Sequence, residues 1–220
     1  MRKNRPDHVH LNLNVNLPQE KQMKYLWLIL FFSVLVWSGI NPKDQLTWFL
    51  EVFPALIGII ILGATFNNFR LTKLAYALIL VHCIILMIGG HYTYAEVPLF
   101  DWIKNYFDLA RNNYDKLGHL AQGFIPAIIA REILIRKKIV LKPKWLSFIV
   151  VSICLSISAF YELIEWWVAE LSGESAEAFL GTQGYIWDTQ SDMALALLGA
   201  VLALIMLSKI HDKQIKDITL

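Results

Sequence analysis

The sequence predicts an all-α fold: a polytopic membrane bundle of six transmembrane helices with both chain termini in the cytoplasm. Three observations carry that expectation. Of the 220 residues, 56% are hydrophobic and only 17% are charged, with a mean hydropathy of +0.48, whereas soluble domains carry about a quarter charged residues. An apolar run at 25–40 is followed by five more, at 46–66, 71–90, 117–135, 145–169 and 192–209, on the scale of the ~17–25 residues a spanning helix needs. Lys and Arg then gather in every second connection, as cytoplasmic loops do.

Taken in order, residues 1–22 are polar and basic (Arg2, Lys3, Arg5, Lys21) and show no apolar periodicity, so they read as a disordered cytoplasmic tail. The 25–40 run lacks a small-x-small cleavage site and is followed by further spans, which makes it an uncleaved signal anchor. Each later run must be a helix, because hydrocarbon offers no water to satisfy a bare backbone. The eight tryptophans stand at or near run ends, where an aromatic belt belongs. Connections 67–73 (Arg70, Lys73) and 136–144 (Arg136, Lys137, Lys138, Lys142, Lys144) are basic, like the tail after 209. The alternate connections hold Lys43, then Lys104, Arg111 and Lys116, then no Lys or Arg between 170 and 191. The division is a tail (1–22), a single six-span domain (23–210) and a second cytoplasmic tail (211–220). A formal charge of +2 gives no reason to expect nucleic acid, and the expected partner is the lipid bilayer. Cys83 and Cys154 lie far apart within apolar runs and read as buried free thiols.

Function concentrates in residues 158–192. Glu162 and Glu165 lie on the way out of the fifth run, and Asp188 and Asp192 lead into the sixth. Carboxylates in or beside a spanning segment are expensive and mark functional sites by default. With this topology nearly all the membrane-proximal acidic and imidazole groups share the extracytoplasmic side: Glu51, His91, Asp115, His119, Glu162, Glu165 and Asp192. The inner half offers only Arg131 and Glu132, about a turn from a basic loop, and Arg131 is expected to snorkel to the interface.

Asp115 and His119 share one helical face with Gln122, so the carboxylate can orient the imidazole. A helix start with Asp115 on the positive dipole explains the same pair. Ser158, Glu162 and Glu165 form one stripe at i, i+4 and i+7. At 1.5 Å per residue, Glu162 lies roughly 25 Å from Trp145 and Glu165 roughly 30 Å, which puts Glu162 inside the bundle and Glu165 at the water. Asp192 doubles as an N-cap or first-turn acid. The GTQG at 181–184 reads as a turn rather than a phosphate cradle. Pro126 kinks the fourth span and opens space beside it. His82 has no acidic neighbour at helical spacing and reads as a satisfied interior histidine.

Five carboxylates and one or two imidazoles at one bundle mouth repel unless something offsets their charge. A divalent cation does so, and oxygen-rich ligation with one His points to Mg, Mn or Ca more than zinc. Carboxyls that share protons do so too, and suit acid–base work. A cationic ligand, such as an amine headgroup, is the third way. The residues leave these three open.

The same residues carry a resemblance. DKLGHLAQGFIPAIIARE (115–132), FYELIEWW (160–167), GTQGYIWDTQSDMALALLGA (181–200) and GGHYTYAEVPLFDW (89–102) together resemble the YjdF-like family of bacterial inner-membrane proteins, across all the spans. The resemblance implies a multi-pass inner-membrane location and brings no catalytic residues with it. A looser similarity is to VanZ-like membrane proteins, in which Asp-Lys-x-x-His opens one helix, a Glu sits on another and an Asp on the last. Asp115, Lys116 and His119, then Glu162, then Asp192 would hold those places here. The Arg that VanZ-like chains tend to carry before the last Asp is missing, with Gln183 and Gly184 in that region.

The functional expectation is a polar site at the outer mouth of spans four to six, acting on an envelope lipid, a lipid-linked glycan or a similar amphiphile by metal-assisted or acid–base chemistry. Glu162 is the general base or a metal ligand. His119, Glu165, Asp192 and Asp188 are ligands or proton partners, and Asp115 orients His119. Two rivals come from other classes: a small-molecule or ion transporter, and a scaffold or assembly factor whose carboxylates pair with Lys116, Arg111 or a partner protein. The 92–116 loop is expected to cap the site, with Tyr92, Tyr94, Glu96 and Asp101 at its rim.

Overall fold

A computed structural model describes residues 19–140, 142–172 and 183–219. The expected N-terminal tail as far as residue 18, and Gly181 and Thr182 of the GTQG turn, lie outside the described residues. Among those described there are seven helices and no strand: α1 (Gln19–Gly39), α2 (Gln45–Thr65), α3 (Lys73–Tyr92), α4 (Pro98–Tyr106), α5 (Tyr114–Arg136), α6 (Pro143–Ser172) and α7 (Asp188–Thr219). Of these α1, α2, α3, α6 and α7 are long and apolar enough to cross a membrane. The expected fourth span falls within α5, whose 23 residues measure about 35 Å. Asp115, Lys116, Arg131, Glu132 and Arg136 keep α5 out of that group by composition.

Local signals start and stop these helices. Asp44 caps α2 by accepting from the Thr47 N–H at 2.7 Å, and Thr72 caps α3 by accepting from Ala75 N at 3.2 Å, each meeting an otherwise orphaned first-turn donor. Thr93 and Tyr94 end α3 in the left-handed region, at φ 59° and 52°. This reversal drops the Tyr94 ring onto Gly89, where a Cβ would stand 2.2 Å from it. Pro98 opens α4 at a position where a missing N–H costs nothing. Leu99, Trp102, Tyr106 and Phe107 are exposed along and just beyond this short helix, as suits an interfacial segment.

The long helix that falls outside the apolar group is the innermost. α5 packs on α3, α6 and, most extensively, α7, while α1 and α2 pack on α3. α5 and α7 meet backbone to backbone. A Cβ on Gly123 would lie 1.8 Å from the Ala196 carbonyl oxygen, and one on Gly199 2.2 Å from that of Leu120. Small residues allow this approach, and close packing is what binds helices where lipid removes the hydrophobic drive. Ala127, Ala196, Ala200 and Ala203 continue the seam, all fully buried. Outside it, side chains such as Phe32, Val36, Ile60, Ile205 and Met206 are exposed, as lipid-facing residues are. Trp37, Trp102, Trp145, Trp166, Trp167 and Trp187 are exposed too. Trp27 and Trp48 depart from the expected belt by turning inward, donating to Tyr76 O at 2.8 Å and Ser38 Oγ at 3.1 Å.

The end of the bundle opposite the expected site corrects the sequence reading. Glu132 is fully buried and accepts from Thr72 N (3.0 Å), Thr72 Oγ1 (2.8 Å), Arg136 (2.7 Å) and His211 Nε2 (3.1 Å). Arg131 does not snorkel. It is buried, donating to Asp212 at 2.6 Å and to His211 Nδ1 at 3.2 Å. A guanidinium cannot accept, so Nδ1 carries the lone pair and Nε2 the proton that goes to Glu132. The group draws on α5, α7 and the start of α3, with partners 60 and 79 residues from Glu132, so no local pattern announced it.

Candidate functional site

At the other end of α5 the first turn carries Asp115, the second His119. Gly123, one turn further, lets α7 approach until Asp192 reaches the same point. One donor atom each from Asp115, His119 and Asp192 lies within 4.8 Å of the other two, and all three residues are buried. His119 Nε2 is 3.3 Å from Asp115 Oδ1, while Nδ1 faces Gln122 Oε1 at 3.2 Å and Glu162 Oε1 at 3.7 Å. Oxygens therefore stand at both ring nitrogens. A neutral imidazole carries one N–H, so it can satisfy only one of them as donor, and the other nitrogen is available to a proton or a metal.

α6 delivers its stripe as expected: Ser158, Glu162 and Glu165 are all buried. Glu162 hydrogen-bonds Thr189, but its Oε1, and Ser158 Oγ, have no hydrogen-bond partner among the described residues. Glu165 was placed at the water by counting rise from Trp145. It is instead 8% exposed, because α6 continues for two more turns and the bundle still surrounds it. Asp188 is held by Arg111, which also reaches Asp115 at 3.4 Å. Arg111 is itself buried. Sequence reasoning named it only as a scaffold partner, although it is the one arginine in the outer connections.

A cavity of about 140 Å³ adjoins this cluster and runs inward along α5. Glu51, His82, Tyr94, Gln122, Tyr161 and Glu165 line it, and Asp115 and His119 form the wall shared with the cluster. Glu51 is buried and accepts from Tyr161 at 3.1 Å and from Tyr94. His82 makes no hydrogen bond among the described residues, so the reading of a satisfied histidine gives way to one that faces an internal space. Pro126 lines this space as anticipated, opposite Pro54 of α2.

The expected rim is used differently. Tyr94 is inside the bundle, wedged between Gly89 and Gly118. Asp101 accepts from the buried Asn112 at 2.8 Å, and Glu96 pairs with Lys43. Gln183 of the GTQG segment accepts from Asn112 N at 3.0 Å and donates to Asn112 O at 2.9 Å. His91 sits apart, with Nδ1 3.0 Å from Ser38 O and its ring against Trp37. Both cysteines are free and buried.

Six buried carboxylates (Glu51, Asp115, Glu162, Glu165, Asp188 and Asp192) thus gather at this end of the bundle, with Glu51, Asp115 and Glu165 on the cavity wall, and among the described residues the basic groups in contact with them are Arg111 and His119. Buried charge without matching counter-charge costs several kcal/mol per ion.

Comparison with known proteins gives the family without a reaction. The chain is 50% identical over 183 residues to the inner membrane protein YjdF of Escherichia coli (strain K12), covering 83% of this chain and 88% of that one. No solved structure matches. Residues 23–213 match the family described as predicted membrane protein (DUF2238), and the chain belongs to that family, as a multi-pass protein of the bacterial inner membrane.

Proposed function

We propose a six-span protein, α5 being the sixth crossing, with both termini cytoplasmic and a divalent-cation site at the extracytoplasmic end of α5, α6 and α7. There it acts on the headgroup of an envelope lipid or lipid-linked substrate by metal-assisted or acid–base chemistry. The observation that carries this reading is the donor geometry of Asp115, His119 and Asp192, beside a Glu162 oxygen that has no hydrogen-bond partner among the described residues. Carboxylate oxygens with a single imidazole form a hard, oxygen-rich set that suits Mg²⁺, Mn²⁺ or Ca²⁺ over zinc. A cation so held polarises a phosphoryl or carbonyl oxygen. Glu162 is then a fourth ligand or the general base, 3.7 Å from His119. Asp115 orients His119, while Arg111 holds Asp115 and Asp188 in place. Glu165 and Asp188 stand outside the set of three.

Two observations support the topology. The polar side chains of α5 point into the bundle, where a span can carry them. Arg70, Arg136 and Lys137 gather at the end opposite the site, as the positive-inside rule requires of a cytoplasmic face.

The test is metal content by mass spectrometry on detergent-purified protein loaded with Mn²⁺. About one ion per chain is expected in the wild type, with loss in Asp192→Asn and His119→Ala and a reduced load in Glu162→Gln. Folded wild type that takes up no metal refutes the cation site. A transporter reading draws on the cavity reaching His82 in mid-α3, and saturable ion-coupled uptake into proteoliposomes would put it first.

A further inference from the structure

We infer that the cavity beside the cation cluster is a pocket for a primary alkylammonium group, the amine end of a zwitterionic phospholipid headgroup drawn from the bilayer. This rests on the reading of Asp115, His119 and Asp192 as a cation site, which takes the phosphate end of the same headgroup.

The pocket's chemistry is acceptor-rich and anionic. Glu51, Asp115 and Glu165 line it, and among the described residues no Lys or Arg does. Glu165 is the sharpest sign: 8% exposed, facing the space, with no hydrogen bond among the described residues. Glu51, by contrast, is oriented by Tyr161 and Tyr94, which line the space as well. Pro126 contributes as well. It lacks an N–H and so deprives the carbonyl of Gln122, a residue that also lines the space, of its helical partner. An ammonium has three donors and no acceptor, and this wall is its complement.

Size argues against a bare ion. A volume of about 140 Å³ equals the share of four or five liquid waters, at ~30 Å³ each. An ethanolammonium group, with one nitrogen, two carbons and an oxygen, is of that order, whereas a dehydrated metal ion is much smaller. The shared wall sets the register. With the amine against Glu165 and Glu51, the phosphate follows after two carbons and an ester oxygen, towards Asp115 and His119.

The route in is lateral. α2 packs on α3, and α6 on α5 and α7, so α2 and α6 flank the cavity with little direct packing between them. The Tyr161–Glu51 hydrogen bond crosses that gap. Its walls are Pro54, half-buried, and Ile157, 43% exposed. A lipid can therefore keep its chains in hydrocarbon while its headgroup enters.

The experiment is calorimetric titration of the detergent-purified, Mn²⁺-loaded chain with dihexanoyl phosphatidylethanolamine, its N-acetylated form, dihexanoyl phosphatidylglycerol and ethanolammonium chloride. The ethanolamine lipid should bind at least about tenfold more tightly than either amine-free lipid. Glu165→Gln and Glu51→Gln should each weaken it by about tenfold while bound Mn²⁺ stays at the wild-type level. Thermal melting checks that both variants are folded. Equal binding of the three lipids by the wild type, or wild-type affinity in both folded variants, overturns the amine pocket and leaves the cation site standing. Ethanolammonium chloride binding that persists after Mn²⁺ is stripped upholds the pocket and separates it from the cation reading. Equal affinity for ethanolammonium chloride and the lipid overturns the lipid source.

Discussion

The Gly123–Ala196 crossing sets how near Asp192 comes to Asp115 and His119, and Gly123→Ala puts that to the test. The added Cβ would stand 1.8 Å from the Ala196 carbonyl oxygen. Ordinary contact needs about 3.5 Å. Both sides are backbone and neither can rotate away, so α5 and α7 must part by roughly 1.5 Å. His119 is one turn from Gly123, as Asp192 is from Ala196, and the parting carries into the site. Cation–oxygen bonds of about 2.3–2.6 Å let one ion span donors at most ~5 Å apart. The three donors lie within 4.8 Å of one another, and Asp192 is the one that α7 carries, so a further 1.5 Å or so draws it away from the pair on α5 and weakens its hold on a shared ion. Replacing a helical glycine by alanine gains about 1 kcal/mol where nothing obstructs it, but overpacking costs about 1–3 kcal/mol or more. The net loss is about 2 kcal/mol, which at ~2–4 °C per kcal/mol lowers Tm by about 4–8 °C. Gly58→Ala is the control, since nothing lies within 4 Å of a Cβ there, and it should keep or raise Tm. The assay is thermal unfolding in detergent with Mn²⁺ content measured alongside. Gly123→Ala with wild-type Tm and a full metal load would sink the argument that this crossing builds the site.

Three further outcomes follow from other parts of the molecule. Arg111→Met leaves Asp115 and Asp188 buried without their guanidinium and should cost about 3 kcal/mol. Asp188→Asn should restore part of it, and strict additivity of the two changes in thermal melts would deny the pairing. In ¹⁵N spectra His211 should show a protonated Nε2 and a bare Nδ1, and Glu132→Gln should speed amide exchange near the end of α7. A protonated Nδ1 would contradict the arrangement with Arg131. At α2, the backbone and side-chain hydrogen bonds of Thr47 hold the Asp44 carboxyl below the ordinary value of 3.8. Its stabilisation is therefore complete above that unfolded value and is lost as pH falls through the lower folded one. Asp44→Ala should cost about 1 kcal/mol at neutral pH and remove this acid-side slope from stability curves.

The sequence made some of this visible and hid the rest for physical reasons. Long apolar runs have few solutions in lipid, so α1, α2, α3, α6 and α7 were legible from composition. Spacing of three and four residues showed that Asp115 and His119 share a face, as do Glu162 and Glu165. What spacing cannot show is which faces meet. That depends on Gly123 and Gly199, whose role shows only once the Ala196 and Leu120 carbonyls stand against them. His82 and Tyr94 were misjudged for the same reason. One was weighed only against helical neighbours, and the other was taken for a rim residue before the reversal at Thr93 turned its ring inward. Glu165 was misplaced because rise along a helix measures length, not how far neighbouring helices rise beside it.

Both ends of α5 bury carboxylates, and the difference between them separates structure from function. Glu132 is met from several sides by Thr72, Arg136 and His211, and none of these four residues lines the cavity. A buried group satisfied in this way holds three helices in register and has nothing left to offer a ligand. At the other end, among the described residues, Ser158 Oγ and one Glu162 oxygen lack partners, Glu165 has no hydrogen bond, and all lie in or beside the wall of a space large enough for a small molecule. Leaving a buried polar group unsatisfied costs on the order of 1–3 kcal/mol, more if it is charged. A fold able to satisfy Glu132 so fully has the means to pair Glu162 and Glu165 as well. That it keeps them open beside His119 is best understood if the missing partners arrive from outside, as a cation at the cluster and an amine in the cavity.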